Sequence, residues 1–173
     1  TPVQMAKYIA MIANGGHPID LSIVKNIINS NGSQVSQNEL DEYTSKILKT
    51  ENTVTEDKNI SEETITAVRE GMKSVAEEEG GTAYSVFKDF EIELGGKTGS
   101  AELNRYNDDV IAWFAGFAPY ENPEIGIVVM VEKGGHGYYT AEVVREIMSE
   151  YFGMNVEEIV EDMSATTETE SFR

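Results

Sequence analysis

The sequence predicts an α/β (α+β) fold, an antiparallel sheet flanked by helices. Two observations carry this. Apolar residues recur at three- and four-residue spacing in three stretches, Met5 to Ala13, Ile65 to Val75 and Val143 to Phe152. Between the second and the third stand three strand-like segments: the run into Lys97, Val110 to Ala118, and Glu124 to Glu132.

Thr1 to Ala13 reads as the first helix. Thr1 is an N-cap, Pro2 fits the first turn and Gln4 completes a capping box. Met5, Ile9, Ile12 and Ala13 share a face, and Gly15-Gly16 end the helix. Leu21 to Ile28 alternates poorly but is β-branched, and reads as a short strand or extended segment. Residues 33–58 form a polar, variable insertion, within which Glu39 to Leu48 could be a short helix. Ser61 caps the next helix, whose buried stripe is Ile65, Val68, Met72 and Val75, with Met72 a core residue. Gly80-Gly81 stop it. Thr82-Ala83 lead into Tyr84 to Leu94, and a strand then runs into the Lys97 segment. Trp113 and Phe114 are expected to pack in the core on opposite faces of their strand. Ile125 to Val131 is almost wholly apolar, which suits a strand covered on both faces. Val143, Val144, Ile147, Met148, Tyr151 and Phe152 mark the closing amphipathic helix. The organisation is therefore a folded part over 1–152 and an acidic, Thr-rich tail over 153–173, expected to be disordered.

Composition narrows the function classes. The chain has 173 residues and no Cys, so neither disulfides nor thiol chemistry are available. A net charge of −18 excludes a nucleic-acid partner, because a phosphate backbone would be repelled. Much of that acid lies in Glu77-Glu78-Glu79 and after Glu157, as solvated surface and tail. There is no signal peptide and no apolar run long enough to span a bilayer.

The chemistry concentrates in Gly95-Gly96-Lys97-Thr98-Gly99-Ser100-Ala101-Glu102. Lys97 is a fixed positive charge beside a place for a carboxylate. Thr98 and Ser100 alternate along a strand, so their hydroxyls share a face. Gly99 has no Cβ and lets a ligand backbone pair with the strand edge. Other candidates are weaker. Tyr106 either lines a cleft or sits in a turn, and His17 is a surface loop residue. His136, in Gly134-Gly135-His136-Gly137, lies in a loop near the same sheet edge. With Glu132 or Asp108 it is a candidate zinc ligand, although one His among scattered carboxylates favours a loop or cleft-lining role and no cofactor.

These residues occur within an ordered set: Thr1-Pro2-Val3-Gln4, Ile12-Ala13-Asn14-Gly15-Gly16, Arg69-Glu70-Gly71-Met72, Gly80-Gly81-Thr82-Ala83, the Lys97 run, Ala112-Trp113-Phe114-Ala115-Gly116-Phe117-Ala118-Pro119 and Val131-Glu132-Lys133-Gly134-Gly135-His136-Gly137. The set resembles the C-terminal part of the transpeptidase domain of class B penicillin-binding proteins, a fold shared with serine β-lactamases. Phe117 to Pro123, followed by the Glu-x-Gly-Gly loop, looks closest to the cell-elongation type, penicillin-binding protein 2. The resemblance covers roughly Thr1 to Phe152. Residues 33–58 depart from it, as does Ala141-Glu142, where many relatives carry Ala-Pro.

The resemblance implies a serine D,D-transpeptidase that cross-links peptidoglycan stem peptides and is trapped by β-lactams. By this likeness Thr98 and Ser100 hold the substrate's terminal carboxylate, and Gly99 and Ala101 complete the substrate-binding strand. Lys97 supplies charge, and the Ser100 backbone N–H is one of two oxyanion donors. The family's two other motifs, Ser-x-x-Lys with the nucleophile and base, and Ser-x-Asn, stand in no usable form here. The expectation is a fragment inactive by itself. Its partners would be the upstream half of the same domain and membrane proteins of the elongation machinery, and its anchor would lie upstream on the extracytoplasmic face of a bacterial membrane. Rival readings are a β-lactam-sensing receptor domain and a non-catalytic scaffold of the elongation complex. The Lys97 motif alone is also compatible with a β-lactamase or a carboxypeptidase.

Overall fold

The structure is a computed structural model and describes residues 1–19, 21, 26–36, 38–42, 60–102 and 110–154. Helix α1 (Pro2–Ala13) begins as its sequence dictates. The Thr1 side chain accepts from the Gln4 N–H, the Gln4 side chain closes the capping box, and Pro2 occupies the first turn. Helix α2 (Glu62–Glu77) is capped by Ser61, whose Oγ accepts from the Thr64 N–H, and carries Glu62 and Glu63 at its positive end. One short helix α3 (Tyr84–Phe87) follows, then strands β1 (Gly95–Glu102), β2 (Val110–Ala118) and β3 (Ile125–Val131), and helix α4 (Tyr139–Tyr151). The strands form an antiparallel sheet in the order β1-β2-β3, with Lys97 opposite Ala115, Thr98 opposite Phe114 and Ser100 opposite Ala112.

The sheet is sandwiched. On one face α1 and α2 bury Ile9, Ile12 and Met72 against Ala115 and Phe117. On the other, α3 and α4 bury Phe87, Ala141, Val144 and Met148 against Phe114, Ala118 and Ile127. Gly95 and Gly96 let both ring layers lie flat on β1. A Cβ on Gly96 would stand 2.4 Å from the Phe114 ring, which is fully buried and cannot yield. Gly96→Ala should therefore destabilise the protein by about 1–3 kcal/mol through overpacking, seen as a lowered midpoint in a denaturant titration. Gly99→Ala should not, because its Cβ would meet only the Trp113 Cβ at 3.4 Å.

Arg69, on α2, ties the layers together. Its guanidinium donates to Ala13 O at the end of α1 (2.9 Å) and to Tyr120 O in the β2–β3 turn, and lies 5.2 Å from the centroids of the Phe117 and Tyr120 rings. Nearby, Lys73 pairs with Glu93 at 2.8 Å, and that hydrogen bond holds the Lys73 ammonium above its ordinary pKa.

Several expectations shift. Part of the span Tyr84 to Leu94 coils into α3, where Phe87 packs against Phe90 and Phe114, and the strand begins only at Gly95. Val68 is 39% exposed because it faces a cavity and not the core. Ile27 to Val35 forms a tight hairpin with a single bridge, Ile28 to Gln34. In β3 only Ile127 is buried. Helices cover both faces, but β3 is the sheet's last strand among the described residues, so its remaining side chains stay half exposed. In α4 the sheet-facing residues are Ala141, Val144 and Met148, while Val143 and Ile147, each 43% exposed, form an outward stripe with Tyr139 and Tyr151. Residues 38–42 are helical, whereas the rest of the Glu39 to Leu48 span and the tail beyond Met154 lie outside the described residues. Among the described residues no helix is long and apolar enough to cross a membrane.

Candidate active site

The β1 run places its functional groups on two faces of the sheet, as strand alternation requires. Lys97, Gly99 and Ala101 share the face of Ala115 and Trp113, while Thr98 and Ser100 share that of Phe114 and Ala112. Lys97 is exposed, and its Nζ folds back to donate to Thr98 O at 2.6 Å. Thr98 is buried at 8% exposure, and its hydroxyl is 2.6 Å from that of Thr82. Thr82 therefore belongs to the site. Its position after the helix-ending Gly80-Gly81 gave no sign of this, because the pairing joins residues 16 apart in the chain. Ser100 and Ala101 are exposed. The Ser100 Oγ accepts from the Gly137 N–H at 3.1 Å, so the loop containing His136 does reach the β1 motif.

Behind Lys97 lies an apolar cavity of about 540 Å³, walled by α1 (Tyr8, Ile9, Ile12), α2 (Val68, Met72) and Trp113, with Lys97, Thr98 and Gly99 along one side. Phe114 is fully buried in the core under α4, as expected. Trp113 is only partly buried and lines this cavity, since its face of β2 is not closed over by α1. His136 is exposed, with its ring 6.4 Å from that of Tyr138. Among the described residues no three His, Asp or Glu side chains gather as metal ligands. Tyr106 and Asp108 lie outside the described residues.

Three upstream matches in spacing stand against the expectation that neither companion motif has a usable form. Ser22-Ile23-Val24-Lys25 and Ser85-Val86-Phe87-Lys88 have the Ser-x-x-Lys form and Ser36-Gln37-Asn38 the Ser-x-Asn form. Ser85 and Lys88 are both exposed, and Lys88 pairs with Asp89 at 3.9 Å. Ser22 and Lys25 lie outside the described residues. Ser36 is exposed, and its N–H, together with its hydroxyl, donates to Glu39 Oε2 at 3.0 and 2.8 Å and holds the Glu39 carboxyl below its ordinary pKa. Ser36 is thus engaged in a local turn at a helix start.

Residues 1–149 match the family model for the penicillin-binding protein transpeptidase domain. The chain belongs to this family. Penicillin-binding protein 2A of Bacillus subtilis is 30% identical over 169 residues, covering 88% of this chain and 22% of the relative. Peptidoglycan D,D-transpeptidase MrdA of Haemophilus influenzae is 28% identical over 107 residues, 54% of this chain and 16% of the relative. The solved structure of Pseudomonas aeruginosa PBP2 superposes with a TM-score of 0.68 at 30% identity, over 87% of this chain and 30% of that one. The relatives are class B proteins of the MrdA/PBP2 type, and the three-stranded sheet with its helices is part of their transpeptidase fold. The chain spans about a fifth of the length of the curated relatives it matches.

Proposed function

We propose that this chain forms the substrate-binding wall of a peptidoglycan D,D-transpeptidase, and that the nucleophilic serine and its lysine base lie outside these residues. The observation that carries the reading is the Lys97–Ser100 run on β1, with Thr98 and Ser100 on one face and hydrogen-bonded there to Thr82 and Gly137. A serine elsewhere in the protein attacks the D-Ala-D-Ala carbonyl. The bond to the leaving D-Ala breaks, that amine takes a proton, and an acyl-enzyme remains. The amine of a second stem peptide then displaces the serine and forms the cross-link. In this scheme the Ser100 hydroxyl donates to the terminal carboxylate and the Ser100 N–H to the oxyanion. Loss of one such oxyanion donor costs about 3 kcal/mol of transition-state stabilisation. Lys97, whose Nζ donates to Thr98 O on its own strand, serves as the anchoring charge.

The cavity behind Lys97 and the outward stripe on α4 support a partner that covers them, which we take to be the rest of the same domain. By the likeness to MrdA and PBP2 the intact protein works on the extracytoplasmic face of the membrane with elongation-machinery proteins. No metal or other cofactor enters this scheme. A sensor domain or a non-catalytic scaffold would retain β1 but not turn over stem peptides.

Ser100→Ala in the full-length protein tests the role of β1. Acylation by a carboxylate-bearing penicillin should slow by about tenfold, the worth of one hydrogen bond to a charged group, while thermal stability stays close to the parent's. An unchanged acylation rate would remove the Ser100 side chain from the site.

A further inference from the structure

The row Ser100–Ala112–Val131 runs straight across the three strands, each residue opposite the next. The loop after β3 recrosses the sheet along this same row. A Cβ on Gly134 would stand 2.7 Å from the Ala112 Cβ and 3.0 Å from the Val131 Cβ. A Cβ on Gly137 would stand 2.5 Å from Gly99 O and 3.0 Å from Gly99 N. The loop is therefore a strap pressed onto the sheet, and Ala112 beneath it is fully buried. Its far end is fixed from both sides. The Gly137 N–H donates to Ser100 Oγ at 3.1 Å, and the hydroxyl of Thr140, 1% exposed, donates to Gly137 O.

This fixes more than a loop. A hydroxyl oxygen that accepts from a backbone N–H keeps its own proton for another acceptor. We propose that Gly137 is a positioning residue for substrate. It turns the Ser100 hydroxyl into a donor aimed at the substrate carboxylate, with Thr140 as its buried anchor. The inference rests on the transpeptidase reading and adds to it a residue 37 positions away from the motif it serves. A glycine is required because the strap touches backbone, which cannot rotate aside as a side chain can.

The test uses the full-length protein and two probes, a penicillin with its free carboxylate and the methyl ester of the same penicillin. Gly137→Ala and Thr140→Val are compared with the parent. Thr140→Val keeps the buried volume and removes the hydroxyl, so it remains informative if Gly137→Ala folds poorly. Each variant should slow acylation by the acid by about tenfold, the scale of one charge-assisted hydrogen bond, and leave the ester rate unchanged. In a Ser100→Ala background neither should have a further effect on the acid. Equal slowing of acid and ester, or slowing that multiplies with Ser100→Ala, makes the strap merely structural and overturns the proposal. A parent that acylates acid and ester alike overturns the carboxylate reading and the proposal with it. A parent that prefers the acid, with variants that keep the same preference, overturns the proposal alone.

Discussion

Lys97→Met should lower the acylation rate of the full-length protein by at least tenfold, since losing a charged hydrogen-bond partner in a partly buried site costs about 1.5–3 kcal/mol. Met keeps much of the stem that lies along the cavity and removes only the charge. The fold should be indifferent. In the ligand-free state the Lys97 ammonium serves only Thr98 O on its own strand, and exposed charges contribute little to stability. The measurement pairs a stopped-flow acylation rate with a melting curve. Lys88→Met is the control, because Lys88 is exposed and its ammonium pairs only with the neighbouring Asp89, at 3.9 Å. A Lys97→Met protein that acylates at the parent rate would leave the motif without functional content here.

Arg69→Ala should produce the largest loss of stability of any single replacement considered. The guanidinium satisfies two main-chain carbonyls from different elements, Ala13 O and Tyr120 O, and covers two aromatic rings. Hydrogen bonds to a charged group contribute about 1.5–3 kcal/mol each, and the abandoned acceptors add a desolvation cost. A net loss of about 3 kcal/mol corresponds to roughly 6–12 °C in melting temperature for a domain of 150–250 residues. Arg69→Lys should recover only part, because an ammonium cannot span both carbonyls in one plane. A shift under about 2 °C would show that α1 and the β2–β3 turn are held by apolar packing alone.

What the sequence made legible was local or periodic. The Thr1 and Ser61 caps are written within four residues, and both form as read. The β2 boundaries follow from an apolar run with no competing signal, and Thr98 and Ser100 share a face because strand period is two. What stayed hidden depends on long-range placement. Tyr84 to Phe87 can coil because Phe87 finds Phe114, 27 positions on. The closing helix is apolar on two sides, and hydrophobicity alone could not separate the sheet-facing Val144 and Met148 from the outward Val143 and Ile147. Trp113 reads as core from its type, yet its exposure is set by how far α1 extends over β2. The Ser100 contacts were legible only in their direction. That Gly137 would supply the N–H follows from the path of the strap, which glycine content suggests and cannot specify.

The central claim is that these residues hold substrate while the acylated serine lies elsewhere in the protein. The most direct measurement is to treat the full-length protein and the 173-residue chain separately with fluorescent penicillin, then locate the adduct by peptide mass spectrometry. The full-length protein should be labelled stoichiometrically on a serine outside this chain, and the chain alone should not be labelled. An adduct in either sample on Ser22 or Ser85, the two serines here followed by Lys at the third position, would contradict the claim.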